Sequence, residues 1–322
     1  MISQNLKYLL ITLGLVFSVG WGSNALKLTL DDLFYWQQFV SNKDILTAQA
    51  NQLSFEQHVR DLKPLRDNAV PDLAIKSKSA VSVLTGHNSS DRPLFEKEAR
   101  EKLAIASLTK LMTAYVVTKH YDLEKEITVS SKAINQEENF GKLKAGQTLT
   151  VRELLYPLLI ESSNDAAFAL ANDYNGTNEA WFIDLMNKEA RNLGLNDTYF
   201  FNSSGLDPKD YEPQNRVNYS TALDLVKLAK EIIKNDLIVS IISTPKITLY
   251  EEELINTNQL LTEVPYMLGG KTGYTDKAQG CFLMISKAPK NKGYLINVIL
   301  ASQNRFTEME KLMRWTQEAY LW

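Results

Sequence analysis

Two apolar runs, Cys-Phe-Leu-Met-Ile-Ser-Lys-Ala at 281–288 and Gly-Tyr-Leu-Ile-Asn-Val-Ile-Leu-Ala-Ser at 293–302, meet at Pro-Lys-Asn-Lys-Gly, residues 289–293. So short a connection cannot carry a parallel crossover, so the runs must pair as antiparallel neighbours. Gly-Gly-Lys-Thr-Gly-Tyr-Thr at 269–275 reads as another strand. Far upstream, residues 80–97 give two extended runs around a Gly/Asn/Ser/Asp turn, a second hairpin. Between these hairpins the period changes from two to 3.6. Residues 164–172, 178–194 and 218–235 read as helices, and 305–322 as a closing amphipathic helix. Thr150 and Glu153 have capping-box spacing at the head of another helix. Early strands, a helical middle and late antiparallel strands predict an α/β (α+β) fold, one antiparallel sheet flanked by helices.

Composition removes several function classes. At 322 residues the chain can bury a large core. A net charge of -3 offers no basic face, so nucleic acid is not an expected partner. One cysteine, Cys281, and three scattered histidines, His58, His87 and His120, leave no set of zinc ligands, and no metal is expected. The N-terminus carries Lys7, an apolar stretch from Tyr8 to about Gly22 and small residues around Ser23 and Ala25. It reads as an export signal, either cleaved or kept as an N-terminal apolar helix in the cytoplasmic membrane. Either outcome puts the rest of the chain in the periplasm or on the outer face of that membrane. The expected organisation is a signal or anchor over 1–26, a helical spacer over 27–70 and a main domain over 71–322.

Chemistry is carried by three short motifs. Ser107 stands three residues before Lys110 at the head of a run with Leu108, Leu111, Met112, Tyr115 and Val116 on one helical face and Ala114 and Val117 on the other. This spacing puts the hydroxyl and the amine on one face, within reach of each other. A serine is a weak nucleophile until a neighbour takes its proton, and a lysine can do so where burial favours its neutral form. Alone, the spacing is equally a capped helix, and Ser243 and Lys246 repeat it in a loop. A histidine base fits less well, because His120 lies about 20 Å along an unbroken helix from Ser107. Ser162-Ser163-Asn164 falls at a helix break, where Ser163 or Asn164 can also act as a cap. Lys271-Thr272-Gly273 lies in a strand, where the glycine marks close approach of backbone or ligand.

Ser-x-x-Lys, Ser-x-Asn and Lys-Thr-Gly in this order, on helix, interhelical turn and strand, are far more specific than any one of them. From about residue 71 the chain resembles the serine-type D-alanyl-D-alanine carboxypeptidases, the low-molecular-mass penicillin-binding proteins, with a β-lactamase/transpeptidase-like fold. Ile-Ala-Ser-Leu-Thr-Lys at 105–110, Phe-Asn-Ser-Ser-Gly-Leu-Asp-Pro at 201–208 and Gly-Gly-Lys-Thr-Gly-Tyr-Thr at 269–275 are similar to segments of that family. The resemblance implies that Ser107 attacks the carbonyl between two terminal D-alanines, Lys110 takes its proton and Ser162 relays a proton to the departing D-alanine. Asn164 would hold the acyl chain's amide, and Lys271 and Thr272, helped by Arg305, the terminal carboxylate. Gly273 would belong with the substrate-binding strand, and the N–H groups of Ser107 and Tyr274 would hold the oxyanion. The implied partners are a peptidoglycan stem peptide ending in D-Ala-D-Ala and β-lactams as covalent inhibitors; no cofactor is implied.

The rival readings share this pocket. Class A β-lactamases deacylate with a glutamate in Glu-x-x-Leu-Asn, and the nearest candidate here, Glu251 to Leu254, is followed by Ile255. A non-catalytic penicillin sensor would not need Ser107, Lys110 and Ser162 all intact. Endopeptidase action on cross-links uses the same residues and stays open.

Overall fold

The computed structural model describes residue 52 and residues 63–86, 91–137, 142–174 and 176–322. The N-terminal apolar helix, the export signal, most of the expected spacer, His58 and His87 lie outside these residues.

Five strands form the main sheet: β1 (Ser79–Thr85), β2 (Arg92–Lys97), β3 (Met267–Thr275), β4 (Gln279–Lys287) and β5 (Tyr294–Ser302). Their order is β3-β4-β5-β1-β2, every pair antiparallel. The expected hairpin at 289–293 joins β4 and β5, with Lys290, Asn291 and Gly293 all at positive φ. Both faces of the sheet are covered, and strand alternation sorts its side chains between them. Leu283, Val298 and Val81 stand opposite one another across β4, β5 and β1 and join the larger core with the helical middle. Their neighbours Phe282, Ile299 and Ala80 point the other way, into a cluster with Met309, Leu312 and Met313 of the last helix. The helices are α1 (Thr109–His120), α2 (Val151–Leu159), α3 (Asn164–Asn172), α4 (Glu179–Asn192), α5 (Ala222–Ile233), α6 (Asp236–Ile242) and α7 (Arg305–Glu318).

Several local expectations hold. Leu111, Met112, Ala114, Val116 and Val117 are all fully buried, so the core encloses α1 on several faces as far as Val117. Thr150 accepts the Glu153 N–H while the Glu153 carboxylate accepts the Thr150 N–H, the reciprocal cap read from the sequence. Two boundaries move. The expected helical spacer reached residue 70, yet Leu65–Arg66 forms a short strand paired with Tyr320–Leu321. The Arg66 guanidinium donates to Val70 O at 2.7 Å and lies over the Trp315 ring at 5.0 Å. The compact unit therefore starts at Lys63. The closing helix likewise stops at Glu318, because the residues after it pair with this upstream strand, a long-range contact that local periodicity cannot reveal.

Candidate active site

Ser107 sits in a 3-10 turn, Ala106–Leu108, that leads into α1. Ala106 has φ of 45°, a left-handed conformation uncommon for a residue with a side chain. The turn is held by close packing on two sides. A Cβ on Gly205, itself at φ of 90°, would lie 2.0 Å from Ala106 O, and a Cβ on Gly273 would lie 2.8 Å from Ser107 N. Glycine is required at both places, and at Gly273 the requirement brings strand β3 against the nucleophile's backbone. Asn218 secures the same region, its carbonyl accepting from Ile105 N–H at 3.2 Å and its Nδ2 donating to Thr109 Oγ1 at 3.0 Å.

Lys110 is fully buried one helical turn from Ser107. Its Nζ lies 2.8 Å from Ser107 Oγ, 2.7 Å from Asn164 Oδ1 and 2.8 Å from Ser204 O. Three oxygens from three chain segments thus fix the amine beside the hydroxyl. The second motif fills the break between α2 and α3. Ser163 caps α3, accepting Ala166 N–H at 3.1 Å, whereas Ser162 stands at φ of 65° with its Oγ buried and without a hydrogen-bond partner among the described residues. Asn164 bridges outward, donating from Nδ2 to Glu137 O at 2.8 Å.

The third motif lies on β3, the edge strand of the sheet on the side of Ser107. Lys271 stands opposite Leu283 and Thr272 opposite Phe282, so the two side chains leave opposite faces of the sheet. Lys271 is buried and donates to Thr272 O at 3.0 Å. Burial, reinforced by the Arg305 cation, pulls its amine down to about 7. Thr272 donates to Thr257 Oγ1 at 2.9 Å. Arg305 opens α7 beside Gly280, its guanidinium over the Phe306 ring at 4.9 Å and its Nε buried without a hydrogen-bond partner among the described residues. Burial lowers the Arg305 pKa from its ordinary value.

Ser107, Ser162, Asn164, Thr272, Gly273, Tyr274 and Arg305 line one cleft of about 520 Å³, with Lys110 and Lys271 buried at the site. All nine residues singled out from the sequence therefore belong to one region. The duplicate spacing does not: Ser243 bonds to Ser240 O, and Lys246 is an exposed partner of Glu253. His120 pairs with Glu189, away from the cleft. Sequence reasoning missed Glu161, Ile255 and Thr257, which also line the cleft, and the Ser204 carbonyl. Glu161 was signalled only by adjacency to Ser162; the other three reach the site through tertiary packing.

A family model described as D-alanyl-D-alanine carboxypeptidase matches residues 66–304, and the chain belongs to that family. It is 32% identical over 263 residues to the D-alanyl-D-alanine carboxypeptidase DacF of Bacillus subtilis, covering 77% of this chain and 64% of DacF. It is 30% identical over 274 residues to the D-alanyl-D-alanine carboxypeptidase of Streptomyces sp. K15, covering 77% of this chain and 91% of that protein. The solved Streptomyces K15 DD-transpeptidase superposes with a TM-score of 0.68 at 27% identity, covering 77% of this chain and all of that one. The β-rich sheet flanked by helices is thus the fold of that neighbour.

Proposed function

We propose that this chain is a serine D,D-carboxypeptidase that removes the terminal D-alanine from peptidoglycan stem peptides through an acyl-enzyme. The observation that carries the reading is the Lys110 amine, 2.8 Å from Ser107 Oγ and held there by Asn164 and Ser204. Lys110 in its neutral form takes the hydroxyl proton as Ser107 Oγ attacks the carbonyl carbon of the last peptide bond. The oxyanion that forms is held by the Ser107 and Tyr274 N–H groups, which Gly273 keeps close together. The carbon–nitrogen bond then breaks, and the proton passes through Ser162 to the departing amine. Water attacks the ester that remains, restoring the Ser107 hydroxyl and releasing the shortened peptide. Lys271, Thr272 and Arg305 hold the terminal carboxylate, and Asn164 positions the acyl chain's amide. A β-lactam enters the same first step and stays on Ser107. The work is done outside the cytoplasmic membrane, reached through the N-terminal apolar segment; among the described residues no helix is long and apolar enough to cross a membrane.

The test is D-alanine release from diacyl-Lys-D-Ala-D-Ala, compared with the same peptide amidated at its C-terminus. Each charge-assisted hydrogen bond to the carboxylate contributes about 1.5–3 kcal/mol, so the amide should lose about one to two powers of ten in kcat/KM per bond lost. Ser107→Ala should release nothing. Equal rates for acid and amide would move the assignment to endopeptidase, and a penicillin adduct on Ser162 or Ser243 would overturn the nucleophile.

A further inference from the structure

Three residues lining the cleft carry a buried polar atom without a hydrogen-bond partner among the described residues: Ser162 at Oγ, Arg305 at Nε and Glu161 at Oε2. The first two have places in the proposed reaction, and Glu161 has none. Its residue is 8% exposed, too enclosed for a surface charge to be the explanation. Its other oxygen, Oε1, accepts the Ile255 N–H at 3.4 Å. Ile255 ends a strand, Glu252–Ile255, that among the described residues pairs only with Lys246–Leu249 and lies outside the main sheet. The tight connection of this hairpin puts Tyr250 and Glu251 at φ of 41° and 65°, so its own backbone is costly. The hairpin is held by Leu254 in the core, with Ile247, Leu249 and Tyr250 packed against it, by Lys142 Nζ donating to Glu253 O at 2.8 Å and Asn256 Nδ2 to Thr244 O at 2.9 Å, and by two ties to the end of α2: Glu161 to Ile255, and Thr257 N–H to Ile160 O at 3.0 Å. Two residues beyond Ile255, Thr257 Oγ1 accepts a hydrogen bond from the Thr272 hydroxyl at 2.9 Å.

We propose that Glu161 is a positioning residue: its carboxylate ties the hairpin strand to the turn that carries Ser162 and thereby fixes Thr257 against Thr272, the carboxylate-binding side of the cleft. The inference rests on the serine peptidase reading for its effect on turnover, but the tie itself is a property of the free protein. It is sensitive to protons. Burial raises the Glu161 pKa, Glu252 adds to the rise, and the Ile255 N–H and the Lys142 cation oppose it. Lys142 Nζ stands 4.0 Å from Glu161 and 3.9 Å from Glu252, and Tyr250 faces Glu161, Glu252 and Glu153. A proton arriving on Oε2 leaves the Ile255 N–H bond to Oε1 in place, yet it removes the charge that Ile255 N–H and Lys142 both favour. The tie is therefore present while Glu161 is ionised and loosens as pH falls through its raised pKa.

Two measurements test this. Amide hydrogen exchange of Ile255 in the substrate-free protein reads the tie without catalysis, and kcat/KM for acid and amidated peptides reads its effect on Thr272. Glu161→Ala should speed exchange at Ile255 about tenfold and narrow the acid-to-amide ratio, mainly through a higher KM for the acid peptide. Glu161→Gln, similar in shape but uncharged, should show already at neutral pH the faster exchange that the parent reaches only in acid. It should also lose the acid-side acceleration of exchange that the parent shows beyond the intrinsic rate. Unchanged exchange at Ile255 in Glu161→Ala, or an acid limb in Glu161→Gln identical to the parent's, overturns the inference. A parent protein that releases no D-alanine overturns the peptidase reading instead, and the exchange data still decide the tie.

Discussion

The cleft has two buried lysines, and their surroundings differ. Lys110 rises from a helix packed into the main core and meets oxygens from Ser107, Asn164 and Ser204 within 2.8 Å. Lys271 rises from an edge strand, donates to the backbone of its own neighbour and feels the Arg305 cation. The first amine is held still by acceptors already in place. The second is poorly matched by its surroundings until an anion arrives, so burial works against its charge in the free protein. In the proposed reaction the first moves a proton and the second waits for a carboxylate.

Replacing each lysine by arginine should separate them most strongly. Arginine keeps the charge but cannot give up its proton, so Lys110→Arg should lose penicillin acylation on the order of 10²–10⁴-fold. Lys271→Arg should retain acylation within about tenfold, since charge is what that position supplies. Equal losses in stopped-flow labelling would erase the distinction between base and anchor. A smaller effect follows from pH. Lys271, pulled down to about 7, carries its charge below that pH and loses it above. The KM for the free-acid peptide should therefore rise as pH goes from 6 to 8.5, by about ten- to thirtyfold for one charge-assisted bond. The amidated peptide should show no such rise, and Lys271→Arg should flatten it. A parallel rise for both peptides would assign the titration to another group. The smallest effect separates adjacent serines. Ser163→Ala removes a helix cap, costing about 1 kcal/mol and lowering Tm by about 2–4 °C, with acylation unchanged. Ser162→Ala should keep the Tm within that range and lose turnover.

The sequence carried the catalytic side of this comparison better than the binding side. Ser107 and Lys110 are three residues apart at the head of α1, so their spacing put contact within reach and the two companion motifs singled it out, while the burial of Lys110 followed from the apolar residues around it. The hairpin at 289–293 and the capping box at Thr150 were legible for the same reason: each is set by residues close in the chain. Thr257, Glu161 and Ile255 were not, because they reach the cleft through a hairpin outside the main sheet, and no local period reports where such a hairpin docks. The pairing of Leu65–Arg66 with Tyr320–Leu321 escaped for the same cause, since it joins segments 256 and 254 residues apart in the register pairs Leu65 to Leu321 and Arg66 to Tyr320.

Gly205 and Gly273 press on the backbone of Ala106 and Ser107 from two sides, leaving no room for even a methyl group. Such a fence has an evolutionary consequence. Under selection by an acylating drug, a lineage cannot shift the nucleophile by adding bulk at either glycine, because a single carbon there would unseat the turn before it discouraged the drug. Escape is channelled to the rim, where Ile255 and Tyr274 are more than half and half exposed and can change shape without disturbing Ser107. Resistance variants of this chain should accordingly cluster at those two positions and their neighbours, and both glycines should come through serial drug passage unchanged.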